Sequence, residues 1–239
     1  MKKLLFAVCC FGLAACGSSL FVQSIEEPVI EVRASRAFSG PDDFPPSGFA
    51  GYGILAFPAR PQQAPDRFKM FCEAYASTFL TSTELADRGV SIEDQMVTVL
   101  PVSSSEIATE LDGLEPEEAC SAALPEYDLA QAQSAIAKAE AASERTDGVE
   151  TLDGRGPFLL AWSPGSTFGS RDALVLVADL SNSSTKEQAE LDMRTWYRDI
   201  EQDASIWRRG WNIEGVRLLA QRWVDRRGAA IIKLLGSWG

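Results

Sequence analysis

Histidine is absent from the 239 residues of the chain. Ser-His-Asp and Cys-His nucleophilic mechanisms, His-ligated zinc and histidine general-base catalysis are therefore excluded. The groupings that could still do chemistry are few. Ser183 and Lys186 stand at S-x-x-K spacing, a hydroxyl nucleophile with an amine base. Asp179 ends the apolar run 174–178, while Glu106, the serines Ser103, Ser104 and Ser105, and Arg60 follow other candidate strands. If those strand ends meet, they form a polar cleft in which two carboxylates could act as acid and base in glycan hydrolysis. Asp179 has a plainer reading as a turn residue, and Ser184 one as a helix cap. Residues 165–170 are glycine- and serine-rich but lack the lysine of a phosphate-binding loop, which suits a hairpin tip. No calcium-loop spacing occurs either. The reading contains no cofactor and no metal.

The elements that must position these groups follow from periodicity and turn chemistry. Residues 52–57 form a short apolar run ended by Pro58, and residues 96–100 one closed by Pro101; both read as buried strands. Between them, Phe68, Cys72, Tyr75 and Phe79 recur at helical spacing from residue 66 to residue 80, with Pro65 at the start. Strand, helix and strand at this length predict a right-handed parallel βαβ unit. Residues 116–124 read as a short helix. Asp128 with Gln131 opens another, whose buried stripe is Leu129, Ala132, Ile136 and Ala139. Residues 157–162 and 173–178 predict an antiparallel hairpin with a long loop. Ser184 and Glu187 predict the start of a helix reaching about residue 208, and residues 213–227 a further helix stopped by Gly228. Residues 229–235 favour a last strand. The expected class is α/β, one domain with a mixed sheet of about four to five strands and packed helices.

The N-terminus carries an address. Met1-Lys2-Lys3 is a positive start, and residues 4–15 are apolar, too short a run to span a bilayer. The run ends Leu13-Ala14-Ala15-Cys16: an aliphatic residue, two small residues, then cysteine. This resembles the lipobox of bacterial lipoproteins. The resemblance covers residues 1–17 and no family is recognised for the rest. It implies removal of residues 1–15, lipidation of Cys16, and membrane attachment through that lipid, facing the periplasm. Gly17 follows where many inner-membrane members carry Asp, which favours the outer membrane. Residues 16–48, rich in Pro, Gly, Ser and Asp at their end, read as anchor and flexible tether, with residues 29–32 able to pair briefly as a strand; residues 49–239 read as the globular domain. The S-x-x-K spacing resembles the motif of penicillin-binding serine enzymes. Here Ser181-Asn182-Ser183, similar to their second motif, is fused to the first, and no K-T-G follows.

With Cys9 and Cys10 in the signal and Cys16 lipidated, Cys72 and Cys120 remain. In an oxidising compartment they predict one disulfide. The net charge of −12 argues against a general nucleic-acid binder. The charge is uneven, however. Residues 205–239 hold seven basic residues against two acidic ones, interleaved with tryptophan. Arg208, Arg209, Trp211, Arg226 and Arg227 are the candidate binding residues there, suited to an envelope protein or an anionic lipid surface. The segment suits equally well packing on its own acidic domain. The resulting reading is a lipid-anchored envelope protein with a non-catalytic binding or assembly role. The alternative is an envelope hydrolase using Asp179 and Glu106, or Ser183 and Lys186.

Overall fold

Phe68, Phe71, Cys72 and Tyr75 lie on one side of a helix because their spacing matches the helical period, and all four are fully buried. They belong to α1 (Pro65–Thr78), whose first position is taken by proline. In the computed structural model, which describes residues 31–143, 152–163, 165–170, 175–202 and 231–235, α1 links two parallel neighbours, β2 (Gly51–Ala56) and β4 (Gln95–Pro101). The strand–helix–strand unit expected from the sequence is therefore present.

Among the described residues the sheet has seven strands, more than the four to five expected. In chain order the others are β1 (Arg33–Ser39), β3 (Leu80–Thr81), β5 (Phe158–Trp162), β6 (Val175–Asp179) and β7 (Ile231–Leu235), and the spatial order is β3-β1-β4-β2-β5-β6-β7. The ladders among β3, β1, β4 and β2 are parallel. Those from β2 to β5, β6 and β7 are antiparallel. Two successive antiparallel steps turn β6 back into the direction of β2, so Asp179 and Ala56 end their strands on the same edge of the sheet.

The first strand corrects the sequence reading. Residues 33–39, expected in the flexible tether, form β1, the second strand from the edge, paired with β4 along its whole length. Arg36 and two serines made this segment look solvated. Tertiary structure supplies what the local sequence lacks: Arg36 donates to Asp112 Oδ1 at 2.8 Å and to the Phe79 carbonyl at 3.3 Å, and is only 5% exposed.

The remaining α-helices among the described residues are α2 (Ser82–Asp87), α3 (Ser105–Asp112), α4 (Pro116–Glu126), α5 (Leu129–Ser143) and α6 (Lys186–Gln202). On one face of the sheet α1 packs between α4 and α6. There Trp196 of α6 donates to Thr98 Oγ1 at 3.1 Å, and the Tyr75 hydroxyl accepts from the Ala37 N–H at 3.1 Å. Successive strand residues face opposite ways, so Tyr52, next to Gly53 on the Thr98 side, points to the other face. It stacks there with Trp162 and Phe168, and α5 covers them, placing Lys138 Nζ 4.0 Å from the Phe168 ring centre. Ala132, Ile136 and Ala139 of the predicted α5 stripe are buried and Leu129 is partly buried, and Ala135, outside that stripe, is buried with them. Asp128 opens that helix by accepting from the Gln131 N–H at 3.0 Å.

Cys72 on α1 and Cys120 on α4 are joined by a disulfide, with Cα atoms 5.6 Å apart. Closing the intervening 48 residues contributes about 4 kcal/mol in the chain-entropy account. No helix among the described residues is long and apolar enough to cross a membrane.

Candidate functional site

Three loops meet at the carboxyl edge of the sheet. The first runs from β2 into α1, the second precedes β5, and the third joins β6 to α6. Arg67, in the first turn of α1, ties them together. Its Nε donates to the Gly156 carbonyl at 2.9 Å, Nη1 to Ser183 at 2.6 Å, and Nη2 to Leu180 at 3.0 Å, to Ser181 at 3.3 Å and to Gly156 again. Its guanidinium also sits 4.9 Å from the Phe71 ring centre. Arg155 adds a bond from Nε to the Ser181 carbonyl at 2.6 Å. Leu180 donates to the Pro157 carbonyl at 3.0 Å, and Gly156 N–H donates to Ser181 Oγ at 2.9 Å.

Glycine is required at two points. Gly156 has φ of +64°, and a Cβ there would lie 2.5 Å from Pro58 Cδ. At Gly154 a Cβ would collide with Ser181 and come within 3.1 Å of Asp179 Oδ2.

The loops enclose a cleft of about 800 Å³, within the usual range for small-molecule sites. Phe57, Phe68 and Met70 supply apolar wall. Phe57 is held from behind by Tyr127, whose hydroxyl accepts from its N–H at 2.7 Å. Among the described residues, Arg60, Arg67 and Arg155 line the cleft with a single acid, Asp66. None of the three arginines makes an ion pair among the described residues, whereas Arg33, Arg36, Lys186 and Arg194 each do. Burial, and after it the Arg155 charge, lower the Arg67 guanidinium to about 10, still protonated at neutral pH; Asp179 and Asp192 act in the opposite direction. A second groove, of about 770 Å³ between α1 and α6, differs in character. Its charges are mixed and partly paired, with Arg194 3.3 Å from Glu190.

The residues singled out in the sequence fare unequally. Arg60 lines the cleft with an exposed side chain that makes no hydrogen bond or ion pair among the described residues. Asp179 sits on the same edge, but its Oδ1 accepts from the Ser181 N–H at 2.8 Å, the local turn that its type favours. Glu106 is in the first turn of α3, after β4, where the backbone and Ser104 lower its carboxyl. Ser104 caps that helix through the Ile107 N–H at 3.2 Å, and Ser103 Oγ donates to Glu126. Three strand spacings, roughly 14 Å, separate the ends of β4 and β6, beyond the reach of a hydrolytic carboxylate pair.

Ser183 and Lys186 also go separate ways. Ser183 Oγ donates to Asp192 at 2.6 Å, and Lys186 Nζ reaches Glu73 at 3.2 Å. The cap of α6 is Thr185 rather than Ser184. Thr185 Oγ1 accepts from the Gln188 N–H at 3.3 Å, and Gln188 Oε1 accepts from the Thr185 N–H at 3.2 Å. Cys16, Arg208, Arg209, Trp211, Arg226 and Arg227, with the helix expected at 213–227, lie outside the described residues.

Sequence reasoning overlooked Arg67, Arg155 and Gly154. One signal was available for Arg67: a cation in the first turn of a helix opposes the helix dipole, and such local conflict points to a tertiary partner. Comparison of the chain with protein-family models, curated proteins and solved structures finds no match.

Proposed function

We propose that the chain is a lipid-anchored protein of the bacterial cell envelope whose α/β domain binds a ligand or partner without transforming it. Anchoring rests on the sequence Leu13-Ala14-Ala15-Cys16 after a charged and apolar start. Two or more acyl chains on Cys16 hold a protein stably at a membrane, at about 0.8 kcal/mol per buried CH₂. The Cys72–Cys120 disulfide suits an oxidising periplasm, and Gly17 favours the outer membrane.

The observation that carries the binding role is the cleft at the carboxyl edge, lined by arginines with no carboxylate partner among the described residues. Ligands of open α/β sheets bind at this edge. The groups considered for catalysis already hold structure: Ser183 with Asp192, Lys186 with Glu73, Asp179 with its own turn. The basic C-terminal segment offers a further contact to an envelope protein or anionic lipid.

Replacing Cys16 tests the anchor. Cys16→Ser abolishes acyl labelling and globomycin-sensitive processing, and the protein leaves the membrane fraction. Unchanged labelling of the variant would overturn the reading.

A further inference from the structure

We infer that the cleft at the carboxyl edge takes a small amphiphilic anion, a carboxylate or phosphate group carried on an apolar body. The inference rests on the binding role proposed above and specifies its ligand. The charge at this place is out of keeping with the molecule. The chain carries 34 acidic residues and a net charge of −12, yet among the described residues three arginines and one acid line the cleft, with Asp179 and Asp192 acting on Arg67 from outside the lining. Elsewhere, among the described residues, Arg36 and Arg194 are met by carboxylates. Here no arginine has a carboxylate partner among the described residues.

Their availability is graded. Arg67 is committed to four backbone carbonyls and serves to position the loops. Among the described residues Arg155 uses only Nε, toward Ser181, which leaves its terminal nitrogens without a hydrogen bond there. Arg60 is exposed and uses none. A guanidinium presents paired N–H groups in a fixed fork that matches the oxygens of carboxylate or phosphate. A local positive field inside an acidic protein also draws an anion past the general repulsion.

The walls define the rest of the ligand. Ala59, Ala64 and Pro65 give the cleft exposed apolar surface, Pro58 and Met70 are partly buried beside them, and Phe57 and Phe68 lie buried beneath. They suit an acyl or aromatic body, with the anionic end toward Arg60 and Arg155. A free inorganic ion would leave the apolar surface unused.

The test uses the full-length protein, extracted from membranes in neutral detergent, with hexanoate and hexyl phosphate as probes and hexan-1-ol as the uncharged control. Calorimetry is expected to show saturable binding of at least one anion, with hexan-1-ol weaker by about tenfold or more. Preference between the two anions assigns the headgroup. Arg60→Gln, at an exposed side chain with no bond to another described residue, weakens the anion about tenfold with an unchanged melting temperature. Adding Arg155→Gln weakens it further, and added salt does the same to the wild type.

Equal binding of hexan-1-ol, no binding of either anion, or undiminished binding in both variants would overturn the inference. Those results leave the anchor to be judged by Cys16 labelling. Release of inorganic phosphate from hexyl phosphate would sink the non-catalytic reading and leave the anion site standing.

Discussion

Asp112 illustrates how burial and pairing compete at one side chain. It lies 2.8 Å from Arg36 and accepts from the Phe38 N–H at 3.3 Å. Both contacts favour the carboxylate. Desolvation outweighs them and raises the carboxyl to about 6. A group whose folded pKa exceeds its unfolded value binds its proton more tightly in the native state. Its contribution to stability is therefore complete below about pH 4 and is lost as the pH rises through 6. Asp112→Asn removes that titration. Urea unfolding between pH 4 and 7 should show a shallower decline in the variant than in the wild type; identical slopes would assign the pH dependence to other groups.

At the scale of elements, the cleft exists because three loops are held against one another by Arg67. Helix α1 is anchored below by its aromatic stripe and by the disulfide to α4, so Arg67 projects from a fixed platform toward carbonyls of the loops before β5 and after β6. A hydrogen bond to a charged group contributes about 1.5–3 kcal/mol. Arg67→Met, which keeps the stem and removes all five donors, should cost about 3 kcal/mol in denaturant unfolding and weaken anion binding as well. Arg67→Lys should recover only part of either, because an ammonium cannot span four carbonyls spread across two loops. A Lys variant as stable as wild type would show that the charge, and not the fork, holds the loops.

Across the whole molecule, charge is segregated: residues 205–239 carry a net +5, against −12 for the chain. Exposed arginines act over a Debye length of about 8 Å at physiological salt and seldom contribute more than about 1 kcal/mol each to folding. Changing Arg208, Arg209, Arg226 and Arg227 together to Gln should leave the melting temperature nearly unchanged. Association with anionic vesicles should weaken, most clearly at low salt. A lowered melting temperature with unaltered association would instead assign the segment to the fold.

The sequence by itself determined the α/β class, α1 and its buried stripe, the parallel pair β2 and β4, the antiparallel pair β5 and β6, and the Cys72–Cys120 partnership. Each of these depends on local periodicity, turn residues or a count of two cysteines, which neighbours along the chain are enough to express. Arg60 was legible as a residue following a strand end. Strand β1 was not, because its alternation is broken by Arg36, and only Asp112, 76 residues away, makes a buried arginine tolerable there. The separation of Glu106 from Asp179, and of Ser183 from Lys186, depends on strand order and on partners such as Asp192 and Glu73. The gathering of Arg60, Arg67 and Arg155 likewise waits on β5 running antiparallel to β2, which brings the loop before β5 to the end of β2. A second antiparallel pairing brings the loop after β6 to the same edge, and two glycines let the loops approach closely enough for one guanidinium to bind them.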